Sequence, residues 1–462
     1  MDLTEAILRR DLELVGQYVA GLENICYLDE YGYTPLIQSI IANEIEIAKF
    51  LLNHGADPNQ KDTTGGTPLH WAIYNDNLEL TQLLLEHKAD PNAYNISSEP
   101  VLAKAILRHN QPLKDVLFAA GASAQFANDY IKVKLLGHRY ELIGSVDIVD
   151  TQGVFTEVDY EGFYLESSID LIRYSLFEFQ NNFAARSLQH WFGAISLIIS
   201  CLGAGLKLLK RDHYLTEHNK QVQAIEEFLQ NDSFILPLNQ QGHALSLVKH
   251  GQLVAIIDRA QDSPPNNRIP IYFLNRPAQL NIELLFALVF ERQSVKSIHQ
   301  ALKKRLALQE VDSLEIADQR MGNCSWANIE AAVPVMKLMM NFNDRQSKAE
   351  KESLRADCLE LLYRWQQWGR ERTLTSVIRD FKTASPARRA CMAALFAGII
   401  FQRCHAANDQ DFALATRMLP YLLKKEYTYL IDSYKQFYIY NQSTEAGANF
   451  LEIIDRYYRE IG

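Results

Sequence analysis

The sequence predicts a multidomain chain of three fold classes in succession: an α-helical repeat solenoid over residues 1–125, an α+β domain over 126–345 and an all-α domain over 346–462. Short sequence units recur in the first quarter at a fixed step of 33 residues, the signature of stacked repeats. Strand-like and helix-like stretches in the middle are grouped rather than alternating, which fits an α+β layer arrangement. From Arg345 onward no stretch reads as a strand, and long amphipathic runs read as helices.

The repeats are explicit. Thr34-Pro35-Leu36 returns as Thr67-Pro68-Leu69, and Ala56-Asp57-Pro58-Asn59 returns as Ala89-Asp90-Pro91-Asn92. Leu51-Leu52 and Leu84-Leu85 keep the same step, and Gly55, Lys88 and Gly121 share one repeat position. Thr-Pro opens a helix with proline in the first turn, where its missing N–H costs nothing. The Leu-Leu pair faces the core, and a glycine closes the second helix. The first 29 residues read as a degenerate cap, and Pro100 to Ala124 as a fourth repeat that lacks the threonine.

This pattern resembles the ankyrin repeat, and Thr67-Pro68-Leu69-His70-Trp71-Ala72 nearly matches that family's central motif. The resemblance implies binding of a partner protein through the concave face of the solenoid. Aromatic side chains dominate interface energetics, so the positions expected to carry binding are Tyr33, Thr64, Trp71, Tyr74 and Tyr94. Trp71, between His70 and Ala72, could equally be buried between repeats. Asn59 and Asn92 stand where ankyrin repeats can undergo asparagine hydroxylation, and where an asparagine also has a plain turn role.

In the middle region, Ile131 to Leu136, Tyr140 to Val149, Val154 to Val158 and Phe163 to Leu165 read as short strands. Ile169 to Phe183, Ser187 to Lys210 and Asn219 to Gln230 read as helices, and Phe234 to Leu238 and Ile269 to Leu274 as strands. Leu280 to Phe290 and Ser294 to Leu308 are helical. Beyond them, Glu350 to Arg372, Ala387 to Ala407, Asp411 to Lys424 and Ala446 to Ile461 are the helices of the C-terminal region. The most apolar run, Trp191 to Leu209, is broken by Gly193, Gly203, Gly205 and Lys207. It therefore reads as a buried helix and not a membrane span.

Two stretches carry chemistry. In Gln319-Arg320-Met321-Gly322-Asn323-Cys324-Ser325-Trp326, a thiol follows a Gly-Asn turn and opens a helix running to Leu338. Unpaired N–H groups and the helix dipole favour the thiolate there, and the thiolate is the nucleophile. Gln319 can aim an amide at the oxygen of a tetrahedral intermediate. The second stretch, His243 to Asp258, reads as a β-hairpin. With His250-Gly251 as its two-residue loop, His243 lies directly opposite Asp258. Opposed side chains stand roughly 4.5–5.5 Å apart at Cβ, so a carboxylate can hold the imidazole. Cys324, His243 and Asp258 are thus the parts of a nucleophile, base and orienting group.

The chain order His243, Asp258, Gln319, Cys324 is similar to that of adenovirus-type and SUMO-deconjugating cysteine proteases, within the broader papain-like fold. That resemblance implies a helix carrying the cysteine packed against a sheet carrying the histidine. Gln319 stands five residues before Cys324, where those proteases usually leave six, and Ser325 rather than tryptophan follows the cysteine. Gly242-His243-Ala244 and Gly322-Asn323-Cys324-Ser325-Trp326 behind ankyrin repeats also resemble the ankyrin-bearing effectors that Legionella secretes into host cells. This implies type IV secretion without a signal peptide, with action in the host cytoplasm and possible entry into the nucleus.

The function expected is a thiol hydrolase of peptide or isopeptide bonds, recruited to a host protein by the repeats. A non-catalytic scaffold and an acyltransferase using the same triad remain alternatives. A net charge of −10 argues against a nucleic-acid partner, since such proteins carry a basic footprint. The basic runs Lys207 to Arg211 and Lys303-Lys304-Arg305 are short enough to be solvated helix faces. Six scattered cysteines with no CxxC pair imply a reducing compartment, no metal site and no cofactor. Nothing in the sequence bears on oligomeric state.

Overall fold

The computed structural model describes residues 3–22, 24–209, 218–240, 242–259, 268–291, 293–316 and 322–461. It opens with four helix pairs: α1 (Leu3–Leu8) and α2 (Leu12–Ala20), α3 (Pro35–Ile41) and α4 (Ile45–Asn53), α5 (Pro68–Tyr74) and α6 (Leu78–Glu86), α7 (Val101–Leu107) and α8 (Gln111–Ala119). The second helices begin at Leu12, Ile45, Leu78 and Gln111, each 33 residues after the last. Left-handed backbone recurs with the same step, at Arg10, Asn43, Asp76 and His109 with φ of 61°, 59°, 50° and 52°. Gly55, Lys88 and Gly121 form another such series, at φ of 91°, 68° and 94°. Identical turns therefore impose one geometry on successive pairs, which is what allows them to stack.

Next come α9 (Ala124–Tyr140) and an antiparallel pair, β1 (Ser145–Val149) and β2 (Phe155–Asp159). Ile131 to Leu136 therefore lies in a helix, against the strand expected from sequence. Its apolar residues fall at helical spacing with Phe126, Ala127 and Tyr130, and all three of these are buried. Phe163 to Leu165 forms no strand either: Leu165 already opens α10 (Leu165–Gln180). Helices α11 (Phe192–Leu209) and α12 (His218–Leu229) follow.

The five-stranded antiparallel sheet runs in simple order: β3 (Ser233–Gln240), β4 (His243–His250), β5 (Leu253–Ile257), β6 (Arg268–Leu274) and β7 (Leu308–Glu315). Between β6 and β7 lie α13 (Ile282–Phe290) and α14 (Val295–Arg305). Leu236, Leu238, Leu245, Leu247, Val254 and Ile256 form one face and share a core with residues of α12, α13 and α14. The long α15 (Cys324–Asn341) lies along β4, with β3 and β5 beside it and α10 and α11 behind it. It is buried from Ser325 to Met339, which makes it the central helix of the region. Strand β7 is absent from the sequence expectation. It lies at the sheet edge, and its polar residues Gln309, Glu310, Asp312 and Ser313 hide the apolar alternation.

Contacts divide the chain into two compact units: residues 1–128, 163–319 and 324–365 in one, and 129–162, 320–323 and 366–462 in the other. These units differ from the boundaries at 125 and 345 read from the sequence. In the first unit, α16 (Lys348–Phe381) begins against the thiol-bearing region, where Trp365 Nε1 donates to Ser175 Oγ of α10 at 3.1 Å. In the second, β1 packs on α17 (Pro386–Arg403), and Arg388 holds Asp129 of α9 through two bonds of 2.7 and 2.8 Å. The run Phe183–Leu209 is long and apolar enough to cross a membrane. In this fold α11 packs on α10 and β3 and buries Ile195, Ile198, Leu202 and Leu206.

Candidate active site

The hairpin that brings the histidine and the aspartate together turns at Gly251-Gln252, because His250 pairs with Leu253. The expected register, with His250 in the loop, is therefore shifted. Gly251 adopts φ of 54°, a conformation that glycine takes without strain, and His250 stays in the strand with Nδ1 2.7 Å from Ser233 Oγ. Moving the loop by one residue slides the pairing by two, which preserves the face each side chain occupies. Asp258 thus meets His243 diagonally, just past the end of β5, and its Oδ1 lies 2.8 Å from His243 Nε2. The aspartate is almost fully buried, the histidine about a quarter exposed.

Asp258 serves two imidazoles. Its Oδ2 is 3.3 Å from Nε2 of His299, on α14. His299 was not anticipated; nothing in its sequence surroundings distinguishes it from a surface residue of an amphipathic helix. With Nε2 of His243 facing Asp258, Nδ1 is the ring nitrogen left for Cys324, and the imidazole and the thiol are close enough that each shifts the other's ionisation.

Cys324 is the first residue of α15 and is half-buried. Its sulfur receives the backbone N–H of Ala244 at 3.4 Å. Burial disfavours its ionisation, but the hydrogen bonds from His243 and from the Ala244 and Ser325 N–H groups outweigh it, and the thiol lies below its ordinary range. His243 moves the opposite way. The Asp258 hydrogen bond, then that to Cys324, raises it to about 10 against the desolvation of the ring. Both directions favour the same state, a thiolate paired with an imidazolium, over the neutral pair. By contrast, burial pushes the Cys201 thiol up to about 11 and those of Cys358, Cys391 and Cys404 to about 12.

Asn328, one helical turn after Cys324, is fully buried. Its Nδ2 donates to the Ala244 carbonyl at 2.6 Å and its Oδ1 accepts the Arg259 N–H at 3.0 Å. One amide thereby ties the residue after His243 and the residue after Asp258 to the cysteine helix. The i, i+4 spacing from Cys324 was the available signal for it. Asn323, before the thiol, is buried, and its Oδ1 is 2.6 Å from His138 Nδ1. Gln319 lies outside the described residues. Among the described residues no group of three or more His, Cys, Asp or Glu side chains is placed to hold a metal ion.

On the repeats, Thr64 is exposed, and Tyr33, Trp71, Tyr74 and Tyr94 are half-buried. Their rings pack on one another and on neighbours. Tyr33 meets Trp71 edge-on at 5.4 Å, Trp71 meets Tyr74 at 5.8 Å, and Tyr94 meets Phe126 at 5.5 Å. Trp71 Nε1 donates to Asp62 Oδ2 at 2.8 Å. Asn59 donates to the Lys88 carbonyl and accepts the Asp90 N–H. Asn92 repeats this one unit later with Gly121 and Ser123. Both asparagines therefore staple consecutive repeats.

Helix pairs stacked at a 33-residue step and followed by a region that contains an antiparallel sheet define an ankyrin-repeat protein with a second, mixed α/β region. Residues 3–95 match the ankyrin-repeat family in three copies. The chain is also similar along nearly its whole length to the solved structure of the Legionella effector AnkH. The two are 35% identical, with 99% of this chain and 97% of that one covered, at a TM-score of 0.88. The chain belongs to the AnkH family. A comparison with curated proteins found no match.

Proposed function

We propose that the protein is a secreted bacterial effector that binds a host protein through its ankyrin repeats and cleaves a peptide or isopeptide bond at Cys324. The effector role rests on the similarity to AnkH. Binding rests on the repeats, whose concave faces generally hold proteins. The observation supporting catalysis is that His243 bonds Asp258 at 2.8 Å and shares its site with Cys324, the two shifting each other's ionisation, at the N-terminus of a buried helix.

In this reading the Cys324 thiolate attacks the substrate carbonyl carbon and forms the C–S bond of a tetrahedral intermediate. The Cys324 N–H and Gln319, the latter from its position in sequence alone, stabilise the oxyanion. Collapse breaks the C–N bond, and the imidazolium of His243 protonates the departing amine. A water deprotonated by His243 then opens the thioester, releasing a carboxylate and restoring the ion pair. Asp258 holds the ring in the tautomer and orientation both steps need.

The test is incubation of the full chain with a peptidyl chloromethyl ketone, with the adduct located by mass spectrometry. Labelling at Cys324 that disappears in His243→Ala supports the reading. Labelling spread evenly over the six cysteines would overturn it.

A further inference from the structure

Asp258 stands just past the end of β5, whose last residue, Ile257, pairs with Ser246. The strand ladder therefore stops one residue short of the group that orients His243. The backbone is caught again at the next residue, where the Arg259 N–H meets Asn328 Oδ1 at 3.0 Å. The angle of the carboxylate between these two points is left to its own hydrogen bonds.

A single hydrogen bond does not orient a carboxylate, because the group can still turn about the line to its partner. Two bonds from different elements, one on each oxygen, remove that freedom. His243 Nε2, at the start of β4, meets Oδ1 at 2.8 Å, and His299 Nε2, on α14, meets Oδ2 at 3.3 Å. An ionised carboxylate only accepts, so each of these ring nitrogens carries its proton. The Asp258 side chain is only 5% exposed, so bulk water cannot readily replace a lost donor.

A packed helix delivers the second donor. Ser294 caps α14 by accepting the Ser297 N–H at 3.1 Å. Ile298 and Leu302 are fully buried in the core that also holds Val254 and Ile256 of β5. His299 projects from the flank of that contact, about a quarter exposed. Its neighbours on the same side of the helix, Lys296 and Lys303, are exposed. The groups that act on the His243 ring are Asp258 and the Cys324 thiol. Arg259, next to Asp258, gives Nη1–H to the Ala327 carbonyl of α15 at 3.2 Å.

We propose that His299 is a positioning residue of the thiol site: through Oδ2 it holds the Asp258 carboxylate at the angle in which Oδ1 meets His243. Its bearing on turnover rests on the thiol-hydrolase reading; its hold on Asp258 does not. Holding and mere sharing of charge have opposite consequences. A residue that places the carboxylate, once lost, loosens the bond on Oδ1, and His243 then gives up its proton more readily. A residue that only draws on the charge of Asp258, once lost, leaves more of that charge to His243, which then keeps its proton more tightly.

The experiment compares the full chain as wild type, His299→Phe, His299→Gln and His299→Asn. Two quantities are read: the rate of iodoacetamide alkylation at Cys324 against pH, and the titration of His243 by NMR with histidine labelled at Cε1, its signal assigned by its loss in His243→Ala. His299→Phe fills the space of the ring without a donor. It should slow alkylation at pH 6.5 by roughly fivefold and move the His243 titration to lower pH. His299→Gln places an amide N–H near the site of Nε2 and should restore both. His299→Asn carries the same amide one carbon short and should behave as His299→Phe. The Gln and Asn variants differ by one methylene, so a gap between them reports the reach of the donor and not a loss of packing. Wild-type values in His299→Phe, no gap between Gln and Asn, or a His243 titration moved to higher pH would each overturn the proposal. The thiol-hydrolase reading fails separately, when wild-type Cys324 reacts no faster than the buried cysteines; the His243 titration then still decides the role of His299.

Discussion

Asn328 Nδ2 lies 2.6 Å from the carbonyl oxygen of Ala244, and this bond couples the helix that starts with Cys324 to the strand that starts with His243. Its Oδ1 takes the Arg259 N–H beside Asp258. Three segments distant in sequence are thus registered by one buried amide, and the placement of Cys324 beside His243 depends on that register.

Asn328→Ala should leave two buried backbone groups without their partner. Removing such bonds costs about 1–3 kcal/mol each, so the variant should lose about 2–6 kcal/mol of stability. It should also slow alkylation of Cys324 while keeping Cys324, His243 and Asp258 in place. Chemical denaturation and iodoacetamide kinetics measure the two effects. A variant that is less stable yet alkylated at the wild-type rate would show that Asn328 does not align the pair.

The thiolate–imidazolium pair fixes a pH dependence. The Cys324 thiol lies below its ordinary range and His243 is raised to about 10, so the window in which both are charged is widened from both sides. Alkylation of Cys324 should exceed that of Cys201, Cys358, Cys391 and Cys404 at pH 6.5, since burial raises those four thiols. In His243→Ala the curve for Cys324 should move toward alkaline pH. Turnover should fall as pH drops through the thiol's titration, and again as pH rises through that of His243 near 10. A Cys324 profile unchanged by His243→Ala would dissociate the two groups.

Much of this site was legible in the sequence because face parity is robust. The loop was misplaced by one residue, yet His243 and Asp258 kept the same face, since the slip moved the pairing by an even number. Cys324 was legible because Gly-Asn followed by an apolar helical run marks a helix start. His299 and Asn328 were not, because their roles arise from packing of α14 and α15 on the sheet. The repeats were legible to the residue, since each left-handed turn recurs at a step of 33. The stretch Ile131 to Leu136 was misread because a continuous apolar run does not distinguish a buried strand from one turn of a buried helix. Its lysine, Lys134, is buried and bonds three carbonyls, of Asp159, Glu161 and Gly162, a role no local pattern reveals.

Two buried histidines make the fold acid-sensitive. Burial lowers His70 from the usual 6.5 to about 4, and His138 likewise. A depressed value means that the unfolded chain takes the proton first. Stability is therefore full above pH 6.5, falls as pH drops toward 4, and loses at most about 3 kcal/mol per histidine. Urea midpoints measured from pH 7 to pH 4 should decline with an uptake approaching one proton for each histidine exposed. His70→Asn should remove one of these from the slope. A flat profile over that range would contradict the burial of these rings.

Lys88 offers a stabilising change. It holds φ of 68° where its counterparts in the series are Gly55 and Gly121, and its side chain is exposed. Left-handed backbone costs a side chain about 1–2 kcal/mol, partly offset by the entropy glycine loses on folding. Lys88→Gly should raise stability by about 1 kcal/mol, visible as a higher melting temperature. Its carbonyl still accepts the Asn59 amide, so the staple between repeats is untouched.

Recognition and chemistry should separate under mutation. The repeats bury their core between neighbouring helix pairs, and Cys324 belongs to none of them. Cys324→Ser changes one atom at the start of α15, so it should retain the host partner and lose turnover. Tyr33 and Tyr74 both touch Trp71, and their truncation strips the aromatic row from the inner face of the repeats. Interface aromatics at the centre of a contact are worth about 2 kcal/mol or more each, so Tyr33→Ala with Tyr74→Ala should weaken capture of the partner by roughly several hundredfold. The folding of the double variant is checked by circular dichroism, and capture by pull-down from host lysate beside wild type and Cys324→Ser. If Cys324→Ser loses the partner while the double alanine keeps it, recognition resides at the thiol site and the repeats do not carry it.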